Sequence, residues 1–188
     1  MEWESINELN AFRLLDVNPL VDEFYEQPLR IEYELNGKIR YEVPDILVIA
    51  NDIKELWEIR PNATTYTREF IERTKLLAIE LPQFGYMYRL AIAEALASEP
   101  RKGNVLKLLQ FGRAFITEAT KEEVRQLVAR KSEIHWGDVT SGVFGPTGRE
   151  AICRLALEGL LQFDIKNHWT DSTVFKWTNQ LTKSNGGI

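Results

Sequence analysis

The stretch Tyr41-Glu42-Val43-Pro44-Asp45-Ile46-Leu47-Val48-Ile49-Ala50, then Asn51-Asp52, then Ile53-Lys54-Glu55-Leu56-Trp57-Glu58-Ile59-Arg60, decides the fold. Two runs rich in Ile, Val and Leu flank an Asn-Asp pair, the form of a β-hairpin with a two-residue turn. With that turn Ala50 faces Ile53, and counting outward sets Asp45 opposite Glu58. Opposed residues share a face, with Cβ atoms about 4.5–5.5 Å apart, and the two-residue period adds Arg60 to it. A three-residue turn would break the parity. Two facing carboxylates repel unless a cation lies between them, and hard oxygen donors at this spacing suit Mg²⁺ or Mn²⁺.

The order Pro-Asp, hairpin, Glu-x-basic is similar to the active-site pattern of PD-(D/E)xK nucleases. That resemblance implies metal ligation by Asp45 and Glu58 and a basic residue, here Arg60, beside the attacking water. Short motifs of this kind also occur in ordinary hairpins with a solvated Glu.

Upstream, residues 3–16 read as a helix. Ser5-Ile6-Asn7-Glu8 has the form of a capping box. Glu8 also lies in line with Ala11, Phe12 and Leu15, the apolar stripe, where a carboxylate needs a partner. The run Glu4-Ser5-Ile6-Asn7-Glu8, then Leu14-Leu15-Asp16-Val17-Asn18-Pro19-Leu20-Val21, Glu26-Gln27-Pro28, Pro44-Asp45 and Glu58-Ile59-Arg60, resembles TnsA. TnsA is the endonuclease subunit of Tn7-like heteromeric transposases. The resemblance implies catalytic and metal-holding roles for Glu8, Asp45 and Glu58, a basic role for Arg60, and a structural role for the Gln27-Pro28 pair. It also implies an Mg²⁺ or Mn²⁺ cofactor and action on double-stranded DNA at transposon ends, where the 5′ strands are nicked. The partners it implies are a DDE-type transposase and an AAA+ ATPase regulator. The chain departs from the family in carrying Arg60 where the family has Lys. Arg keeps the charge but cannot be deprotonated to act as a base. Lys54 is a substitute on the same face at the far end of the strand. The rival reading is a catalytically weak or silent subunit that binds DNA and partners on the same fold.

Beyond the hairpin, residues 66–81 read as an amphipathic helix closed by Pro82, with Phe70, Ile71 and Leu77 inward. Arg68, Arg73 and Lys75 are placed to touch phosphates, although surface charges on a helix are usually only solvated. Residues 85–94 read as a strand. This order gives an α/β fold, a restriction-endonuclease-like mixed sheet flanked by helices. Arg101 and Lys102, before Gly103, are DNA-backbone candidates in an exposed connection.

A second module is expected from Thr117. Thr120-Lys121-Glu122-Glu123 opens a helix through Val124, Leu127 and Val128, Trp136–Val139 forms a short helix, and a third after Thr147 contains Ile152, Leu155 and Leu160. Leu160–Ile165 and Thr173–Trp177 then form a hairpin, which makes a winged-helix-like module. The TnsA resemblance implies the same kind of C-terminal region. Its third helix carries Arg149 and Arg154 as DNA-binding candidates, but Glu150 and Glu158 share it, so protein docking fits equally. The expected divisions are 1–116, 117–180 and a frayed tail, 181–188.

The 188-residue chain has a net charge of −5, so nucleic-acid binding requires a local basic face or a partner. The single Cys153 excludes an internal disulfide, reads as a small buried hydrophobe, and fits a reducing cytoplasm. The acidic start does not look like a signal peptide, and no apolar run approaches membrane-spanning length, so no membrane role is expected. His135 and His168 lack metal-ligand spacing. Gly142–Gly148 looks like a phosphate loop but lacks its Gly-Lys-Ser/Thr ending, and reads as a flexible connector.

Overall fold

The computed structural model describes residues 6–61, 66–131 and 133–178. Ser5, and with it the capping box, lies outside these residues, as do the tail 181–188 and the segment 62–65. The chain divides into two compact units. One comprises residues 1–16 and 20–98, the other residues 17–19 and 99–188.

The first unit is a mixed sheet with helices on both faces. Its strands are β1 (Glu23–Glu26), β4 (Ile46–Ala50), β5 (Ile53–Arg60) and β6 (Met87–Ile92), in the order β1-β4-β5-β6. β1 and β4 pair antiparallel, as do β4 and β5, whereas β6 runs parallel to β5. The turn between β4 and β5 has two residues, as expected, with Ala50 facing Ile53. Asn51 and Asp52 both adopt positive φ, 49° and 65°, the requirement of a type I′ turn. Asp22 steadies that turn by accepting the Asn51 amide at 3.0 Å.

Alternation along β4 and β5 sends Ile46, Val48, Trp57 and Ile59 to one face. There they meet Ala11, Phe12 and Leu15 of α1 (Ile6–Asp16). Leu56 points to the other face and packs with Leu77 of α2 (Arg68–Glu80) and with Leu81. Pro82 follows in a short 3₁₀ turn, Leu81–Phe84, that ends the helix. Thr67 caps α2 by accepting the Phe70 amide. Leu77 is buried as expected and Phe70 half-buried, but Ile71 is exposed. The inward line runs Phe70, Arg73, Leu77, at helical spacings of three and four, and Ile71 falls outside it.

A second hairpin, β2 (Ile31–Leu35) and β3 (Lys38–Glu42), forms its own two-stranded sheet. Its turn is Asn36-Gly37, both at positive φ. The Asn-Gly pair is a strong hairpin signal that the sequence reading passed over. The expected strand 85–94 is shorter at both ends, because Ala93 and Glu94 belong to the helical turn α3 (Ala93–Leu96).

The second unit begins earlier than Thr117. Helix α4 (Arg101–Gly112) belongs to it and packs on α7 (Gly148–Leu157). A Cβ on Gly112 would come within 3.0 Å of the Cys153 carbonyl, so the two helices approach closely there. Buried Asn104 donates to the carbonyls of Ile165 at 2.9 Å and Asn167 at 2.7 Å. The boundary therefore falls at 98–99 rather than 116–117. Helix α5 (Glu118–Ala129) is capped by Thr117, which accepts the Thr120 amide, so the cap lies three residues before the expected Thr120. Val124 and Val128 are buried, whereas Leu127 is exposed.

Strand β7 (Glu133–His135), absent from the sequence reading, leads into α6 (Trp136–Thr140). After α7, β8 (Leu161–Gln162) and β9 (Val174–Trp177) pair antiparallel, and β9 also pairs with β7, giving the order β7-β9-β8. Ile152 and Leu155 are buried within α7, but the helix stops before Leu160. The core is rich in aromatics: Phe163, Trp169 and Phe175 pack on one another, and Trp136 on the latter two. The Lys107 ammonium sits 4.4 Å from the Trp169 ring and 4.9 Å from that of Trp136. Cys153 is fully buried, and burial pushes its thiol pKa well up, away from reactivity. Gly142–Gly148 is a wound turn rather than a loose connector. Phe144 is buried in it, and the amides of Val143, Gly145 and Gly148 donate to local carbonyls.

Among the described residues no helix is long and apolar enough to cross a membrane.

Candidate functional site

The register that pairs Ile46 with Trp57 puts Asp45 across from Glu58 one step further along. The Asp45 carboxylate reaches over the hairpin and accepts the Ile59 amide at 2.6 Å. Upstream, the Gln27 amide donates to the Asp45 carbonyl at 2.9 Å, so the Gln-Pro element fixes the backbone beneath the acid. Asp45 has its pKa raised, first by burial. The Ile59 amide and Arg60 oppose that rise, and Glu8 and Glu58 add to it. Half-buried Glu8, on α1 beside the apolar stripe, is thus within electrostatic reach of Asp45.

Glu58 is the most deeply buried acid, 1% exposed. Oε1 meets Arg60 Nη2 at 2.7 Å and accepts from Arg73 Nη2 at 2.5 Å. Oε2 accepts a short hydrogen bond from the Tyr88 hydroxyl. Tyr88 lies beside Leu56 in the parallel β5–β6 register, on the Glu58 face. Burial, followed by the Glu58 contact, pushes the Tyr88 pKa far up, so the phenol stays protonated as the donor.

Arg73 donates its other terminal nitrogen to Glu42, so a single guanidinium bridges two carboxylates. Its side chain is only 13% exposed. Burial alone would lower its pKa, but Glu58 and Glu42 outweigh that and raise it. Arg60, 37% exposed, also approaches Glu42, at 3.7 Å. Burial and then Glu58 raise the Glu42 pKa, against the pull of Arg73 and Arg60.

No protein-family model matches the sequence, and no curated protein matches it.

The hairpin thus brings Asp45, Glu58 and Arg60 together, with Glu8 near Asp45. Two members of the cluster, Glu42 and Arg73, were not among the expected site residues. Arg73 was expected to be solvated, yet it lies between Phe70 and Leu77 in the inward line of α2. That position is the signal that finds it. Glu42 pairs with buried Ile31 across β2–β3 and shares its face. Lys54 is at the other end of β5, its ammonium 5.9 Å from the Tyr86 ring.

The DNA-binding candidates lie elsewhere. Arg101 and Lys102 are the first residues of α4 rather than part of a loop, and Lys102 pairs with Glu99 at 3.4 Å. Arg149 is exposed on α7. Arg154 is spent on structure, since its guanidinium donates to the Gly112 carbonyl at 2.5 Å and the Ala114 carbonyl at 3.3 Å. A cation there also complements the C-terminal end of the α4 dipole.

A divalent cation needs open oxygen donors. In this arrangement three donors already lie on Glu58, Arg60 and Arg73 on Oε1 and Tyr88 on Oε2, which leaves it at most one open acceptor position. Among the described residues, no three His, Cys, Asp or Glu side chains form a metal-holding group. As placed, Glu58 is held by Arg60, Arg73 and Tyr88. Two guanidiniums supply the charge that the facing acids require.

Proposed function

We propose that the chain is a DNA endonuclease subunit of the TnsA kind, working in a Tn7-like transposition machinery with a DDE-type transposase and an AAA+ regulator. The observation that carries this reading is the hairpin register, which brings Asp45 and Glu58 to one end of the strand pair with Arg60 two residues on and Glu8 nearby. The reaction is hydrolysis of a phosphodiester in double-stranded DNA, nicking the 5′ ends of the element. Half-buried Asp45, with its raised pKa, is suited to take a proton from water. Arg60, the more exposed of the two arginines, is suited to stabilise charge growing on the phosphate. Mg²⁺ or Mn²⁺ belongs to the proposal through the family resemblance.

In the second unit the element order α5, β7, α6, α7, β8, β9 and the strand order β7-β9-β8 support a winged-helix reading. Arg149 is its exposed cation on α7. Since α7 is largely buried and Arg154 is committed to α4, the exposed surface of this unit suits protein docking at least as well as base reading.

A second reading is favoured by one specific contact set. With Glu58 held by Arg60, Arg73 and Tyr88, the subunit on this reading keeps the nuclease fold and binds DNA and partners without cutting. Conversion of supercoiled plasmid to nicked circle separates the two, measured with Mg²⁺ or Mn²⁺ and the cognate transposase. The nuclease reading expects nicking by the natural chain and none by Asp45→Ala. Equal nicking by both chains, or none by either with the transposase present, rejects it.

A further inference from the structure

We infer that Arg73 is the internal counter-ion and latch of this site: its guanidinium bridges Glu42 and Glu58 and supplies at Glu58 the positive charge that a divalent cation would otherwise bring. The inference rests on the nuclease reading for its purpose, but its geometry stands without it.

Arg73 reaches the acids from α2, whereas Glu58 and Arg60 are on β5 and Glu42 ends β3. Its two terminal nitrogens bind one carboxylate each, Glu42 and Glu58. That is the bridging role of a metal ion, performed by a planar fork fixed to the protein. Its Nε is buried with no hydrogen-bond partner, and its guanidinium carbon lies 4.7 Å from the Phe70 ring. The side chain thus leaves one donor unmet while it spans the pair.

Charge makes the same point. The carboxylates Glu42, Asp45 and Glu58 face the guanidiniums Arg60 and Arg73, which leaves one net negative charge. A dication entering this set gains little attraction and meets a Glu58 with at most one acceptor position open. With Arg73 removed, two negative charges remain, Glu58 Oε1 loses a donor, and a pair of buried carboxylates lacks its bridge. Arg60 cannot replace that bridge, since it lies at 2.7 Å from Glu58 but 3.7 Å from Glu42. On this inference a metal enters only where Arg73 has left the two acids. Access is governed from α2 and not from the hairpin that carries the acids.

The test is Mn²⁺ alone, without DNA, on the full chain. Melting temperature is recorded against Mn²⁺ concentration for the natural protein, Arg73→Met, Arg73→Lys and the double variant Arg73→Met with Glu58→Gln. The natural protein should be flat, Arg73→Met should melt lower and climb with Mn²⁺, and the double variant should lose the climb. Arg73→Lys, which restores a cation, should climb less than Arg73→Met. A natural protein that climbs as steeply as Arg73→Met, or an Arg73→Met that stays flat, overturns the inference. If Arg73→Met does not fold, refolding with Mn²⁺ or with K⁺ at equal ionic strength decides. Recovery with Mn²⁺ only supports the latch, and any other result overturns it. Since no DNA is present, a chain that never nicks can pass this test and a chain that nicks can fail it.

Discussion

Asp45 and Ile59 are joined across the hairpin: the Asp45 carboxylate accepts the Ile59 amide at 2.6 Å, one residue beyond buried Glu58. The contact holds Asp45 beside other acids, and its pKa is raised in the folded chain, chiefly by burial. A carboxyl group with a raised folded-state pKa contributes stability below its unfolded value of about 3.9, and loses that contribution as pH rises through the folded value. Asn keeps an acceptor for the amide and has no charge. Asp45→Asn should therefore melt higher than the natural chain near neutral pH, with the gap closing as pH falls into the carboxylate range. Thermal denaturation across that range checks this, and a gap that widens toward acid would count against the assigned environment.

Glu58 concentrates the electrostatics of the first unit. Glu58→Ala leaves Arg73 largely buried with only Glu42 as acid partner, and strands the Tyr88 hydroxyl. Removing one partner of a buried ion pair costs about 3–5 kcal/mol. Urea denaturation should show a loss of that order, against a loss within about 0.5 kcal/mol for a surface change such as Glu34→Ala.

Much of this site was legible in the sequence, and for a definite reason. A two-residue turn fixes strand parity, and parity fixes which side chains share a face. Asn51-Asp52 therefore suffices, by parity alone, to set Asp45, Glu58 and Arg60 on one face of the hairpin. Glu8 was legible through its place beside Ala11, Phe12 and Leu15. Arg73 was not, because a charged residue in an amphipathic helix is ordinarily solvated. Only the sheet acids, distant in sequence, supply the reason for it to turn inward. The boundary at 98–99 was hidden for a similar reason: what ties α4 to the second unit is Asn104 reaching carbonyls some sixty positions away, and no local pattern records such a contact.

Arg154 and Arg149 share α7 but should respond differently. Arg154→Met removes the donor that serves the Gly112 and Ala114 carbonyls, a loss of about 1–3 kcal/mol. It should leave the salt dependence of DNA binding unchanged. Arg149→Ala should leave stability within about 0.5 kcal/mol. If the second unit touches the DNA backbone, Arg149→Ala also lowers the salt slope of binding by about one. Paired melting curves and salt titrations separate the two residues. A destabilised Arg149→Ala, or an unaffected Arg154→Met, would contradict the geometry.

At position 60, Arg60→Lys supplies a group that can shed its proton, which the proposed nuclease reading makes testable. Nicking by this variant should exceed that of the natural chain by at least about tenfold if a basic group assists the attacking water, general-base effects being about 10²–10⁴-fold. An unchanged rate would mean that the position acts through charge alone.

The central claim is that acids from α1 and from the hairpin serve one site. On the proposed nuclease reading, the most direct measurement is a double-mutant cycle on the plasmid-nicking rate with Glu8→Gln, Asp45→Asn and the pair combined, the proposed partner transposase present throughout. Residues that work as one unit are strongly non-additive. The account predicts that the double variant is no slower than the slower single variant. Losses that multiply, or a Glu8→Gln that nicks at the natural rate, would contradict it.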